Sequence, residues 1–586
     1  MRDIRGQTIY HVMLDRFGGT EASNNEGYDP ETFDASRTDP ALHWGGDLQS
    51  LLDRLEYVAG LGVTCVRLSP IFEQMHGLGL DRGRPSAAWD GKWPRDWRRI
   101  DQHLLPRAEW DRPFAARDTV FDRLVAVCHA HGMRVVLDFV CDHANPGSDR
   151  EPRGEMCDDG RWLLSSEHDP KGWLRRGPGR EDLAQDGSGL DRFDARNPSF
   201  THHMIDVLCD WTDRGADGFC FLGAQHMPLW FWQQIASSMY ARRPGIMLLG
   251  VPPTNTTWQD AALDFANHSG LHLTDFSFHR HVVESLCWND VGGMRRIAGY
   301  LEKDDRLDDA SSLVTLLDSP DTPRLLSSGL PDAQLPLAVT LLMTVRGTPC
   351  IQYGTEQAIR SPGNPDARIA PRMETFDEST PVARAIRRLA ALRRDNLALQ
   401  RGYYRTLWVS DDALVFSRTH DKEHVVVALN RGRDIEARID NIPLPDGPAI
   451  DVLGGPGSFV REHAFPALRM PRSSAQVFVQ EDRVETAGTA IVFRLTGYAT
   501  RFGERIVLTG SAPELGAWDL AHAIPLQYAN ANLWIGQVTF DRSVGQRIAY
   551  RYVVLDDRDN ANRERRLPRL RDVPPVSEVE WQDRWS

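Results

Sequence analysis

VVLDFVCDH (135–143) runs apolar and then turns abruptly polar, and DGFCFLGAQH (217–226), IMLLGV (246–251) and LVTLLDSPD (313–321) repeat the pattern. A strand buried on both faces reads as a near-continuous apolar run, and its last residues emerge at the mouth where a strand–helix barrel gathers its chemistry. Working outward, TIYHVMLDRF (8–17) reads as a first strand and VTCVRLSPIF (63–72) as a second. Between them LQSLLDRLEYVAGLG (48–62) carries apolar residues at three- and four-residue spacing, a helical period. RVVLDFV (134–140) is the third strand, and the second and third quoted segments hold the fourth and fifth. LHLTDFSF (271–278) is expected as the sixth, LVTLLDS (313–319) as the seventh and GTPCIQYGTEQ (347–357) as the eighth. Glycines at 62, 132, 215 and 245 stand between helix and strand, as helix C-caps do. The pattern predicts the α/β class and a (β/α)8 barrel.

The remaining segments divide the chain further. The barrel is expected over 1–143 and 193–400, interrupted by a polar, Gly/Asp/Arg-rich insertion at 144–192. TLWVSDDALVFSRT, HVVVALNR and SAQVFVQE alternate every two residues, which predicts an antiparallel β domain over 401–482. TAGT (486–489) reads as a linker into a last β module, 487–586, whose strands begin at Ala490.

With 586 residues the chain has length for a large core and smaller modules beside it. Its formal charge of −14 argues against nucleic acid and against an anionic membrane surface. No apolar stretch approaches the length that spans a bilayer. MRDIRGQTIYHVMLDRF lacks a signal-peptide core, so the expected compartment is the cytoplasm. Cys65, Cys128, Cys141, Cys209, Cys220 and Cys350 lie within or beside apolar runs and read as small buried hydrophobes. No CxxC or Cys/His spacing suggests zinc.

The order and spacing of the four quoted segments resemble the signature segments of the α-amylase family, glycoside hydrolase family 13: DxxxNH, GxRxD, a strand ending in Glu, and xxNHD. The resemblance implies a TIM barrel with an inserted domain B at 144–192 and a β domain C. GSAPELGAWD (510–519), followed by LW (533–534) and YRY (550–552), resembles carbohydrate-binding module family 20, a starch-binding β-sandwich.

Retaining glycosidases set two carboxylates about 5–5.5 Å apart across the scissile bond. The resemblance places Leu222 at the family's nucleophile, Cys220 at the neighbouring Arg and Val251 at the acid/base Glu. PPTNTTW follows Val251 and supplies no carboxylate. Asp138 and His143 keep their family identities, while Asp142 replaces an Asn and Ser319-Pro320-Asp321 replaces NHD. In WDGKWPRDW (89–97), Asp90 stands at a substrate-contacting His and Lys92 at an aromatic position. In DRFD (191–194), Arg192 stands at a calcium-site carboxylate. Calcium is thus weakly supported, with Asp142 and His226 as its candidate ligands. His143, Asp321 and Arg324 are the candidate sugar contacts of the barrel. In the last module Trp518, Trp534 and Arg551 are the candidate contacts; Ala531 and Tyr528 stand near the family's second site, and Asn562 or Arg563 where a second Trp would be.

The leading expectation is an amylase-like protein of α-glucan metabolism that is inactive by the family mechanism. It would be a starch- or maltooligosaccharide-binding pseudoenzyme, or a scaffold for a carbohydrate-active enzyme. One alternative is an active α-glucan hydrolase or transglycosylase that uses Asp90, Asp142 and Asp321, converging at the mouth, as displaced carboxylates; Asp138 is a further candidate catalytic residue. Another is an interaction scaffold that binds no sugar.

Overall fold

The computed structural model describes residues 4–18, 29–81, 83–175, 190–252, 260–288, 292–361, 370–421, 423–480, 489–501, 503–530, 532–540, 543, 545–556, 558, 560–564, 566–574 and 578–585. By internal contacts the chain forms two compact units: Met1–Val291 with Ser311–Met343 and Gly347–Arg394, and Gly292–Ala310 with Thr344–Arg346 and Asp395–Ser586. Most of PPTNTTW, most of TAGT, Ala531 and the side chain of Arg563 lie outside the described residues.

The first unit holds the eight expected parallel strands: β1 (Ile9–Val12), β2 (Cys65–Leu68), β3 (Arg134–Val140), β4 (Gly218–Leu222), β5 (Met247–Val251), β6 (His272–Leu273), β7 (Val314–Leu316) and β8 (Thr348–Gln352). They pair in order, β8 returns to β1, and a bridge from Thr274 to Val314 closes the ring. Helix α1 (Val120–Ala130) illustrates the local logic. Thr119 and Asp122 satisfy its first amides in a capping box, and Gly132, at φ 71°, releases the chain into β3.

The sixth element differs from expectation. LHLTDFSF yields only two residues of strand, and Phe276–Val282 forms helix α2, because Asp275 Oδ1 accepts the Phe278 amide at 2.9 Å. Side chains alternate along each strand, so Cys65, Val136, Cys220, Leu249, Val251 and Leu316 point inward and fill the barrel's core. Within the insertion Met156–Asp158 and Arg161–Leu164 form a hairpin.

In the second unit the β domain is antiparallel, as the alternation predicted. Tyr403–Val409, Ala413–His420, Glu423–Asn430 and Ser474–Val479 are consecutive neighbours in a six-stranded sheet. The last module is a sandwich of two sheets around a core that includes Phe493, Leu508, Trp534, Tyr550 and Trp581.

Candidate functional site

The strand ends set the barrel mouth. β1 contributes His11, β2 Arg67 and β3 Asp138, all buried. The Asp138 carboxylate accepts from Arg67 Nε at 2.5 Å and from Nη2 at 3.1 Å, and lies 3.2 Å from His11 Nε2. His11 Nδ1 lies 2.8 Å from Gln352 Oε1. Burial by itself raises the Asp138 pKa, but the Arg67 charge and then His11 outweigh it and hold the carboxyl below its ordinary value. Asp138 is therefore an anchored anion, not a proton donor. Its sheet neighbour Cys220 is fully buried, and burial pushes that thiol far up, so it supplies no thiolate.

Above this layer are two hollows of very different size. The inner one, about 20 Å³, lies among Leu222, Val251, Phe276, Leu316 and Pro320. That is room for about one water molecule, not a sugar ring. Three carboxylates reach it, and each is committed to a cation. Asp138 belongs to Arg67, while Asp321 Oδ1 and Asp90 Oδ2 lie 2.7 Å and 3.5 Å from Lys92 Nζ.

The outer hollow, about 520 Å³, is lined in part by Trp89, Trp93, Asp90, Lys92, His143 and Asp321. It has the size of a small-molecule cleft. Its wall is stiffened by the Arg16 guanidinium, which lies 3.9 Å from the Trp44 ring and 4.0 Å from the Trp89 ring. His143 Nε2 lies 2.9 Å from the Lys92 carbonyl and ties the lysine loop to the end of β3.

The expected convergence of Asp90, Asp142 and Asp321 is only partly realised. Asp90 and Asp321 meet at Lys92, but Asp142 forms a separate cluster. Its Oδ1 lies 2.8 Å from His143 Nδ1, its Oδ2 lies 2.7 Å from His226 Nδ1, and the Arg192 guanidinium donates to it. Burial raises the Asp142 carboxyl, but His143, His226 and Arg192 together hold it well below the ordinary range.

The implied calcium does not fit this cluster. Arg192 Nη1 also lies 3.0 Å from His226 Nδ1, so a fixed guanidinium occupies the space between the two expected ligands. Among the described residues no group of three or more His, Cys, Asp or Glu is placed to hold a metal ion.

Two other expected contacts are corrected. Arg324 is buried, 3.7 Å from Asp318 Oδ1 and 4.7 Å from the Tyr353 ring centre, and it lines neither hollow. Trp534 is 6 % exposed and sits in the core of the last module, so its faces are spent on packing. Trp518, by contrast, is 42 % exposed, and Ala517 and Trp518 adopt φ of 48° and 70°, unusual for residues with side chains. Such strain costs about 1–3 kcal/mol per residue and persists where the surroundings impose it. Arg551 lies opposite Thr509, near the end of the strand pair from which the Trp518 loop departs.

Sequence reading missed Arg67 and His11 as the groups that neutralise Asp138. A charged residue inside the apolar run VTCVRLSPIF was the available signal. It also missed Asp318, whose carboxyl is raised by burial, although that group lines neither hollow.

A closed parallel barrel with a cleft at its strand ends is followed along the chain by an antiparallel domain and a β-sandwich with a displayed tryptophan. Residues 12–153 match the alpha amylase catalytic domain and residues 488–575 the starch binding domain. The chain is 26 % identical to a cyclomaltodextrin glucanotransferase of Klebsiella oxytoca, over 99 % of this chain and 91 % of that protein. It is 29 % identical to one of Niallia circulans over 76 % of this chain, spanning 62 % of that relative's length. The gamma-CGTase of alkalophilic Bacillus clarkii shares the fold, with a TM-score of 0.75 at 21 % identity over 100 % of this chain and 99 % of that one. A cyclomaltodextrin glucanotransferase with a three-domain ABC distribution superposes with a TM-score of 0.73 at 29 % identity, over 80 % of this chain and 98 % of that one.

Proposed function

We propose that this chain binds α-glucans in the outer cleft and through Trp518 of its starch-binding domain, without cleaving them by the two-carboxylate route. One observation carries the reading: the cleft stays open at about 520 Å³ while its floor, between Leu222 and Val251, is closed to about 20 Å³. A glucan chain then has a place to lie, but no ring descends to a nucleophile. Leu222 and Val251, at the positions the family resemblance assigns to the two reacting carboxylates, present hydrocarbon. Losing a positioned general acid alone removes on the order of 10²–10⁴ in rate. All eight cysteines are free, which supports a reducing compartment such as the cytoplasm. In this reading the protein delivers or holds glucan, and a carbohydrate-active enzyme is its natural partner.

The test is paired. Purified protein with maltoheptaose, starch and cyclodextrins releases no reducing ends and forms no transfer products, while calorimetric titration with maltoheptaose gives saturable heat. One second reading keeps a specific foothold, because Asp90 and Asp321 flank the same lysine in an open cleft. Turnover that disappears in both Asp90→Ala and Asp321→Ala would establish a displaced catalytic pair and end the inert reading.

A further inference from the structure

Behind the cleft wall two imidazoles lie face to face. The His43 and His103 rings are 3.9 Å apart centre to centre and 9° from parallel, and both residues are buried. His103 Nδ1 lies 2.8 Å from Asp101 Oδ1, and His43 Nδ1 lies 3.4 Å from Asp15 Oδ1. The backbone holds both rings in place. The His43 amide donates to the Thr32 carbonyl at 2.9 Å, the His43 carbonyl accepts the Asp34 amide at 2.9 Å, and the His103 amide donates to Asp101 Oδ1 at 2.9 Å. The pair lines neither hollow.

Asp15 connects the pair to the cleft. Its carboxylate takes the Arg16 guanidinium together with the Trp44 and Gly45 amides. Arg16 in turn lies against the rings of Trp44 and Trp89, and Trp89 lines the outer hollow. His43, Asp15, Arg16 and Trp89 thus form a chain of contacts from the imidazole pair to the cleft surface.

The surrounding charges limit how many protons the two rings can hold. Burial raises both Asp15 and Asp101, but Arg16 outweighs it for Asp15 and His103 for Asp101, so both stay anionic. Arg16 balances one of these anions, and a single proton on the two rings balances the other. A second proton would set two cations 3.9 Å apart away from water. Other charged or titratable groups facing the cluster are engaged elsewhere: Asp29 with Arg150, Asp90 with Lys92, and Asp34 with the Ser36, Thr38 and Asp39 amides. Arg372 donates to the Trp44 and Gly18 carbonyls, and Tyr353 to the Pro371 carbonyl. Burial, and then the neighbouring His103, push the His43 imidazole below its ordinary value, so it is neutral at pH 7 and gains its proton on acidification. Once charged, His43 competes with Arg16 for the same carboxylate, and the guanidinium loses the anchor that holds it against Trp89.

We propose that the His43–His103 pair positions Trp89 through Asp15 and Arg16, and that protonation of His43 loosens this wall and weakens α-glucan binding in the outer cleft. The proposal rests on the α-glucan reading above and adds to it a pH dependence set by residues outside the cleft.

The experiment titrates the full chain carrying Trp518→Ala with maltoheptaose by calorimetry from pH 7.5 to 5, so that the outer cleft is read. Affinity should be constant above about pH 6.5 and about threefold or more weaker at pH 5. Added His43→Gln keeps a neutral polar side chain and should flatten the profile. Added His103→Gln removes the repelling neighbour and should move the fall to higher pH. Imidazole proton resonances of the unliganded chain follow the same event without sugar: the His43 midpoint should lie below the ordinary histidine value and rise in His103→Gln. Thermal melts of each variant at each pH control for folding. Four results overturn the proposal: a flat profile, a fall that persists in His43→Gln (which would assign it to His143 in the cleft), a fall unmoved by His103→Gln, or no binding left in Trp518→Ala. If the unsubstituted chain still binds maltoheptaose, the α-glucan reading survives any of these. No heat with the unsubstituted chain at any pH ends both.

Discussion

Asp138 shows how a carboxylate can be held as an anion at a barrel mouth. It is buried, and Arg67 and His11 are the groups that make the charge tolerable. Removing one partner of such a pair leaves a buried uncompensated charge, whereas replacing both with apolar groups of similar size is often close to neutral. Arg67→Ala is therefore expected to cost about 3–5 kcal/mol. Arg67→Met combined with Asp138→Leu should recover most of that loss; urea denaturation at neutral pH measures both. The pH dependence has a fixed sign. Asp138 and Asp142 have folded pKa values depressed below the ordinary aspartate value, so their stabilisation is fully present above about pH 4. It is lost as pH falls through the folded values. The share of Asp142, read as the difference in urea midpoint between the unsubstituted chain and Asp142→Asn, should hold steady from pH 7 to 5 and shrink below pH 4; a difference that grew on acidification would contradict the assigned pairs. Leu222 and Val251 were legible in the sequence because the family resemblance assigns their positions and strand parity turns them toward the barrel mouth. Lys92 as the bridge to Asp321 was not, since the two lie 229 residues apart and only barrel closure brings them together.

At the scale of elements, two short segments decide what the mouth can do. The first is α2. Alternating apolar residues in LHLTDFSF suit a strand and a helix start equally well, and Asp275 settles the choice by capping the Phe278 amide. The sequence contained that cap, but the periodicity concealed it. Helix α2 begins with Phe276, which closes the inner hollow. Asp275→Ala should cost about 0.5–2 kcal/mol, read by thermal melting. The second segment is the chain at 191–194, which carries Arg192 to Asp142 and His226. A guanidinium built into the chain needs no added cation, so chelator and added calcium should each leave the melting temperature unchanged within about a degree. Arg192→Ala should lower stability by about 3–5 kcal/mol. A melting temperature that collapsed on chelation would show that a metal, not Arg192, holds this loop.

For the whole molecule, the division into two compact units, each with its own hydrophobic core, sets how ligand binding reads out. A chain of this kind departs from two-state unfolding, and calorimetry should resolve more than one transition. A ligand stabilises only the unit that holds its site, by about 2.7 kcal/mol at a hundred times its dissociation constant. For a unit of 150–250 residues that corresponds to roughly 2–4 °C per kcal/mol. Maltoheptaose at that excess should therefore move the transition of the second unit, which carries Trp518, upward by about 5–10 °C. Trp518→Ala should remove most of the shift and leave any contribution from the barrel's outer cleft on the other transition. Because α-glucan is uncharged, these shifts should be nearly the same at low and at high salt despite the formal charge of −14. A strong salt dependence would point instead to an ionic ligand, and with it to a different use of the cleft.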